Sequence, residues 1–178
     1  MLMRSGVWAA LYRLPYLVLL LISFPIFADA GLGRAVRERS VDDLTVYADG
    51  SGLPKGKGNA TAGEKLFHTH CVACHGNAGS GGLNDTLAGG AVPLNELVAV
   101  RTIGSYWPYA FTVFDYVRRT MPYTAPGSLT DNEVYALVAY LLYVNDLWDE
   151  SRMLDRDSLL RMKMPARQRF FSDYELPR

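Results

Sequence analysis

The most informative part of this chain is Cys71-Val72-Ala73-Cys74-His75. Its pattern, C-x-x-C-H, is the one through which haem is attached covalently to protein. Two cysteines three residues apart lie on one side of a helical turn, so both thiols can bond to one haem while the histidine reaches the iron. A disulfide or a thioredoxin-like dithiol is the alternative, because the chain has only these two cysteines. The adjacent histidine favours haem.

The composition indicates one domain with extensions and excludes some partners. The chain has 178 residues, of which 18 are basic and 18 are acidic. This length suits one domain plus additional segments at its ends. The balanced charge does not indicate the basic face that nucleic acid requires, and no acidic tail is present.

The first 30 residues have the features of a secretory signal peptide. Arg4 and Arg13 precede or border an apolar run over 14–27, and Ala28-Asp29-Ala30 fits a small-x-small cleavage site. An uncleaved membrane anchor is the alternative, but the run is short for a span of about 20 residues and contains two prolines. We therefore expect export to the periplasm and a mature chain, starting at Gly31, with no membrane span.

Beyond the signal, the composition divides the chain into three parts. Residues 31–60 are polar and rich in turn residues, so we expect an N-terminal extension that lies over the domain. Helical patterns occupy residues 61–145, which form the predicted domain. Residues 146–178 are a charged, coil-rich C-terminal extension, and no internal repeat is found.

Capping signals and apolar periodicity predict four helices in the domain. The first begins at a capping box formed by Thr61 and Glu64, the second covers 94–103, the third covers 110–120, and the last follows a capping box formed by Thr130 and Glu133. An apolar stripe marks the third helix, with members at Ala110, Val113, Phe114, Val117 and Met121.

Two helices carry additional packing signals. Gly63 and Phe67 share a face of the first helix, where a glycine permits close approach of another helix. The last helix is apolar over the whole of 134–144, so it must bury more than one face. Either residues 146–178 or a partner protein would cover the second face.

The segment 76–93 contains six glycines. This composition suits a chain that folds tightly around a flat ring. It equally suits a flexible surface loop, and the sequence leaves both alternatives open.

The ligands of the iron follow from the motif and from methionine positions. His75 is the predicted proximal ligand, with the backbone near Pro93 as candidate acceptor for its second nitrogen. Met121 is the predicted distal ligand, because it ends the apolar stripe and precedes Pro122, which turns the backbone extended. Met164, also followed by proline, is its main competitor. Without a sixth ligand, the iron would be open to small molecules.

The remaining polar residues near these ligands are assigned either to the protein surface or to contacts with the haem propionates. His68 and His70 are expected on the surface of the first helix. Arg101, Tyr106 and Trp107 are candidate donors to the haem propionates, and an aromatic turn in the core is the alternative. The pair Arg118-Arg119 is interpreted as a solvated face.

Taken together, these motifs resemble a class I cytochrome c domain over residues 61–145. Within that class, the segments 102–110, 121–126 and 129–136 are similar to cytochrome subunits of sulfite and sulfur dehydrogenases, as is Lys163-Met164-Pro165. The tail departs from that group's pattern after Met164-Pro165, where Ala166-Arg167-Gln168 stands in place of Asn-Arg-Asp.

The resemblance implies an all-α fold with three to five helices around one covalent haem c. It implies an electron-transfer protein without substrate chemistry of its own. Its electrons would come from a molybdenum-containing dehydrogenase subunit and pass to a downstream cytochrome c or oxidase. A free electron shuttle, a cytochrome subunit of another dehydrogenase, and an open-site haem enzyme or sensor are the alternatives.

Overall fold

The structure is a computed structural model that describes residues 44–89 and 100–170. The elements within these residues are β1 (Lys57–Gly58), α1 (Ala60–His70), α2 (Val72–His75), α3 (Ile103–Tyr106), α4 (Ala110–Thr120), α5 (Asp131–Tyr143), β2 (Leu154–Asp155) and α6 (Arg156–Arg161), with 3-10 turns at Asn77–Gly79 and Pro165–Arg169. None of the helices described is long and apolar enough to cross a membrane.

Helix α5 lies at the centre of the core. It begins at the predicted capping box, in which the backbone N–H of Thr130 donates to the Glu133 carboxylate at 2.7 Å. All residues of 134–142 are buried. Helices α1 and α4 pack against α5, as do strands β1 and β2. Strands β1 and β2, which belong to the extensions, therefore cover part of the second apolar face of α5.

Helices α1 and α5 cross at close range. A Cβ atom at Gly63 would lie 2.6 Å from the carbonyl carbon of Ala136 and 2.8 Å from Cβ of Tyr140. The rings of Phe67 and Tyr140 pack beside this contact with centroids 5.2 Å apart. Gly63 and Phe67 thus form the predicted contact face, and their crossing sets the position of the residues that follow α1.

The N-terminus of α1 differs from the prediction. The N-cap is Asn59, whose Oδ1 accepts from the backbone N–H of Ala62 at 3.0 Å, and the helix begins at Ala60. The predicted cap, Thr61, is an exposed residue of the first turn. Asparagine is at least as good an N-cap as threonine. Gly58, just upstream, lies against the backbone of Ala136, which fixes where the helix can start.

Substitution of the two candidate caps distinguishes them. We expect Asn59→Ala to lower the free energy of unfolding by about 1 kcal/mol, because an orphan N–H at the helix start loses its acceptor. Thr61→Ala should change it by no more than about 0.5 kcal/mol, as for an exposed position without such a role. Denaturant titration of the haem-containing protein measures both. A larger loss for Thr61→Ala would contradict this assignment.

Helix α4 has the predicted bounds. Of its two arginines, which were both predicted to be solvated, Arg118 is buried. Arg118 is only 4% exposed, and its Nε donates to Asp131 Oδ1 at 3.0 Å. Arg119 is exposed and pairs with Asp115 one turn earlier in the same helix. Arg118 is therefore a buried link between α4 and the start of α5, while Arg119 alone fits the predicted solvated face.

The C-terminal segment has short regular elements and covers the helices. Strand β2 pairs antiparallel with β1, with Lys57 opposite Asp155 and Gly58 opposite Leu154. Helix α6 packs on α4, and the turn Pro165–Arg169 packs on α3. Arg169 donates to the carbonyl of Ser105 at 3.0 Å. The described parts of the two extensions, 44–60 and 146–170, thus pack with the helices.

The second predicted helix, 94–103, falls largely outside the described residues, which omit 90–99. Its predicted end is wrong. Thr102 has an extended backbone and forms a capping box with Ser105, so Ile103 begins helix α3. Local capping chemistry separates α3 from any helix before it.

Candidate haem site

The pentapeptide lies on a single helical turn directly after α1. Cys71 ends α1 with a non-helical φ of −122°, while its N–H still donates to the Phe67 carbonyl at 2.8 Å. The N–H groups of Cys74 and His75 then donate to the Cys71 carbonyl at 3.1 and 2.9 Å. This turn places the cysteine and histidine side chains at helical spacing, as the haem motif requires.

The two cysteines do not form a disulfide with each other. Cys74 is exposed, whereas Cys71 is half-buried and packs against the core. Burial, and secondly the nearby Cys74, raise the pKa of the Cys71 thiol to about 11. The position therefore favours an uncharged sulfur. A thioether, which cannot ionise, satisfies that requirement.

The imidazole of His75 is held by a backbone carbonyl. Its Nδ1 lies 2.9 Å from the carbonyl oxygen of Asp85. With the proton on Nδ1, this bond fixes the tautomer and leaves Nε2 available as a metal ligand. Pro93, the predicted acceptor, lies outside the described residues. The sequence offers no signal for Asp85, since the group that acts is a carbonyl and every residue has one.

The glycine-rich segment packs on the motif within its described part, 76–89. Gly76 has φ of +75°, which lets the chain reverse directly after His75. A side chain at Gly82 would collide with the carbonyl oxygen of Cys74. The N–H of Asn84 donates to that same carbonyl at 2.9 Å. These contacts favour the tightly folded alternative over a loose surface loop.

Met121 ends α4 as the sequence predicts. Its backbone is extended, with φ −117° and ψ 148°, and its N–H donates to the Val117 carbonyl at 3.0 Å. The side chain is half-buried and packs against the same core as Cys71 and Trp107. The competitor Met164 is 3% exposed and caps the turn that packs on α3.

The structure brings together only two of the three predicted propionate donors. The Arg101 guanidinium lies over the Tyr106 ring, 5.0 Å from its centroid. Trp107 instead packs edge-on against Tyr116, with centroids 5.8 Å apart. His68 and His70 are exposed on α1, as expected for surface residues.

The donor set fits a covalent haem. Two free thiols lie on one helical turn, and the histidine that follows them has its Nδ1 paired to a carbonyl. A methionine thioether lies at the end of a second helix that packs on the same central helix α5. Imidazole and thioether are ligands that iron accepts in cytochromes c.

Comparison with known proteins assigns the fold. A family model described as cytochrome c oxidase, cbb3-type, subunit III matches residues 58–141. A chain of the sulfane dehydrogenase SoxCD from Paracoccus pantotrophus is 38% identical, with a TM-score of 0.70, and the match covers 82% of this chain and 73% of that one.

A second relative is more distant. The thiosulfate dehydrogenase of Psychrobacter arcticus is 28% identical over 105 residues, which are 56% of this chain and 31% of that protein. The chain thus spans about a third of the length of this curated relative.

This chain belongs to the class I c-type cytochromes, with an all-α fold in which one haem c is covalently attached. The predicted fold class and cofactor are therefore confirmed. Of the six α-helices in the described residues, three are short. As a c-type cytochrome, the chain carries electrons.

Proposed function

We propose that this chain is an exported mono-haem cytochrome that accepts single electrons from a molybdenum-containing dehydrogenase of sulfur compounds. It passes them to a downstream cytochrome c or oxidase outside the cytoplasm. The observation that carries this proposal is the 38% identity to a chain of the sulfane dehydrogenase SoxCD over most of both chains. The second relative is also named as a dehydrogenase of a reduced sulfur compound.

In the proposed site, Cys71 and Cys74 would hold the haem through thioether bonds, and His75 Nε2 and Met121 Sδ would bind its iron. Bound haem c supplies an iron that gains or loses one electron. The Asp85 carbonyl keeps the His75 ring in one tautomer and orientation. His75 ends α2 and Met121 follows the last residue of α4, so each proposed ligand would be held at the end of a helix.

Arg101, Tyr106 and Trp107 remain proposed donors to the propionates. Arg101 is exposed, and its stacking on Tyr106 limits the directions its guanidinium can take. A guanidinium held in this way can donate two parallel hydrogen bonds to a carboxylate. Trp107 is half-buried beside Tyr116 and offers one N–H.

Covalent attachment gives a direct prediction for the cysteines. The wild-type protein should keep its haem on a denaturing gel after acid–acetone extraction. Cys71→Ala and Cys74→Ala should each keep haem through the remaining thioether, with one vinyl group unreacted. The double variant should lose all covalent haem, as judged by peroxidase staining and mass spectrometry. Covalent haem in the double variant would show that the attachment lies elsewhere.

Purification from the native organism tests the proposed partner. We expect the cytochrome to co-purify with a polypeptide that contains molybdenum, and sulfite or another reduced sulfur compound to reduce its haem in that complex. The control is the isolated chain, which dithionite should reduce and sulfite should not. Reduction of the isolated chain by sulfite, or a complex without molybdenum, would overturn the proposal.

A free electron shuttle is the second candidate, and one packing observation favours it. Strands β1 and β2, from the chain's own extensions, pack on α5, so this apolar helix does not require a partner for its cover. A monodisperse monomer in native extracts, with no associated polypeptide, would establish the shuttle.

A further inference from the structure

Asn145 is a buried polar residue that the roles assigned above leave unexplained. It is 1% exposed and lies two residues after the end of α5. Within the described residues, its side chain bonds to three partners: Oδ1 accepts from the N–H of Gly104 at 3.2 Å, and Nδ2 donates to the carbonyls of Leu87 and Leu141 at 3.0 and 2.8 Å. A buried amide that satisfies this many partners specifies one arrangement of the segments it joins.

The bond to Leu87 connects Asn145 with the glycine-rich segment. The Leu87 carbonyl also accepts the N–H of Ile103 at 3.0 Å, and the Leu87 N–H donates to the carbonyl of Gly79 at 2.8 Å. Leu87 is therefore the junction at which the segment, helix α3 and the end of α5 meet. The glycine-rich segment and α3 are attached there through backbone groups, and the end of α5 is attached through the Asn145 side chain.

The residue that holds His75 lies between two such attachments. Asn84 is bound to the Cys74 carbonyl at 2.9 Å, and Leu87 is bound to Asn145. Asp85, whose carbonyl accepts from His75, is within this four-residue stretch. Because both ends of the stretch are fixed, the direction of the Asp85 carbonyl is fixed as well.

We infer that Asn145 is a positioning residue for the proximal ligand, and that it acts through Leu87 and Asp85 on the His75 ring. This inference rests on the proposed role of His75 as an axial ligand. A hydrogen bond to the non-ligating nitrogen makes an imidazole a stronger donor to its metal. Stronger donation favours the oxidised iron, so a looser Asp85 carbonyl should raise the reduction potential.

The test uses the haem-containing protein with Asn145→Ala and Asn145→Asp. The second variant keeps an acceptor for Gly104 and loses the amide donor to the carbonyls of Leu87 and Leu141. In both, exchange of the His75 Nδ1 proton, followed by NMR, should accelerate on the order of tenfold, since loss of one buried hydrogen bond has about that effect on a local opening equilibrium. The reduction potential should rise in parallel.

Tyr135→Phe is the matched control. Tyr135 is fully buried in α5, the helix that precedes Asn145, and its hydroxyl donates to the Pro54 carbonyl at 2.8 Å, away from the glycine-rich segment. This variant should lose stability without a change in His75 exchange or in potential. If the Asn145 variants behave in the same way, the inference is wrong while the proposed site stands.

Wild-type protein supplies a measurement that does not depend on a variant's folding. The His75 Nδ1 proton and the amides of Asn84 and Ile103 should exchange through one common opening, because all three report on the same fixed stretch. Independent exchange of the His75 proton would overturn the inference. A His75 ring without a hyperfine shift from the iron would overturn the proposed site and the inference together.

Discussion

Replacement of Met121 by alanine should open the sixth position of the iron. We expect the reduced Met121→Ala protein to bind carbon monoxide rapidly, whereas the wild type should not, because the thioether no longer occupies that position. The reduction potential should fall, since methionine–histidine ligation raises it and axial ligands span roughly 0.8 V among haem proteins. Optical spectra with carbon monoxide and potentiometric titration measure the two effects.

Met164 provides the control for this experiment. It is 3% exposed in the core, so Met164→Ala should lower the free energy of unfolding by about 2–5 kcal/mol through loss of packing. It should leave carbon monoxide binding as in the wild type. If Met164→Ala opens the iron and Met121→Ala does not, the ligand assignment is wrong. Rapid binding by the wild type would favour the open-site enzyme or sensor.

Gly63→Ala should destabilise the protein strongly, although it adds only one methyl group. The new Cβ would meet backbone and Cβ atoms of α5 at Ala136 and Tyr140, and these atoms cannot move aside as the end of a side chain can. We expect a loss of about 3 kcal/mol or more, at or above the usual range for overpacking. Such a loss is a large share of a typical domain's stability.

Gly127→Ala separates packing from backbone strain. Gly127 has φ of +73° and no atom within 4 Å of its ideal Cβ, so an alanine there adds only the strain of a left-handed backbone, roughly 1–2 kcal/mol. Thermal or denaturant unfolding of the two haem-containing variants compares them. Equal losses would show that the α1–α5 crossing can relax, contrary to the close approach seen in the structure.

Features with local causes could be predicted from the sequence. The capping box at Thr130, the stripe along α4 and the extended backbone at Met121 each depend on neighbours within a few residues. The haem motif is equally local, because spacing within one helical turn determines it.

Features set by distant residues could not be predicted. Arg118 is buried because Asp131, thirteen residues later, lies beside it in the folded protein. Asn59 caps α1 in place of Thr61 where the preceding strand meets α5. The bond between His75 and Asp85 uses a carbonyl, which no residue type marks. Asn145 offered a weak signal, as the first amide side chain after a long apolar run.

The pairing of β1 with β2 has a consequence for how this cytochrome can be joined to other proteins. Lys57 and Asp155 are direct neighbours in the ladder, although all the proposed haem-binding residues lie between them in the chain. Closely spaced ends are the property that allows a domain to be inserted into a loop of another protein. A host could therefore carry residues 57–155 between two of its own residues only together with α6, which follows β2 and packs on α4.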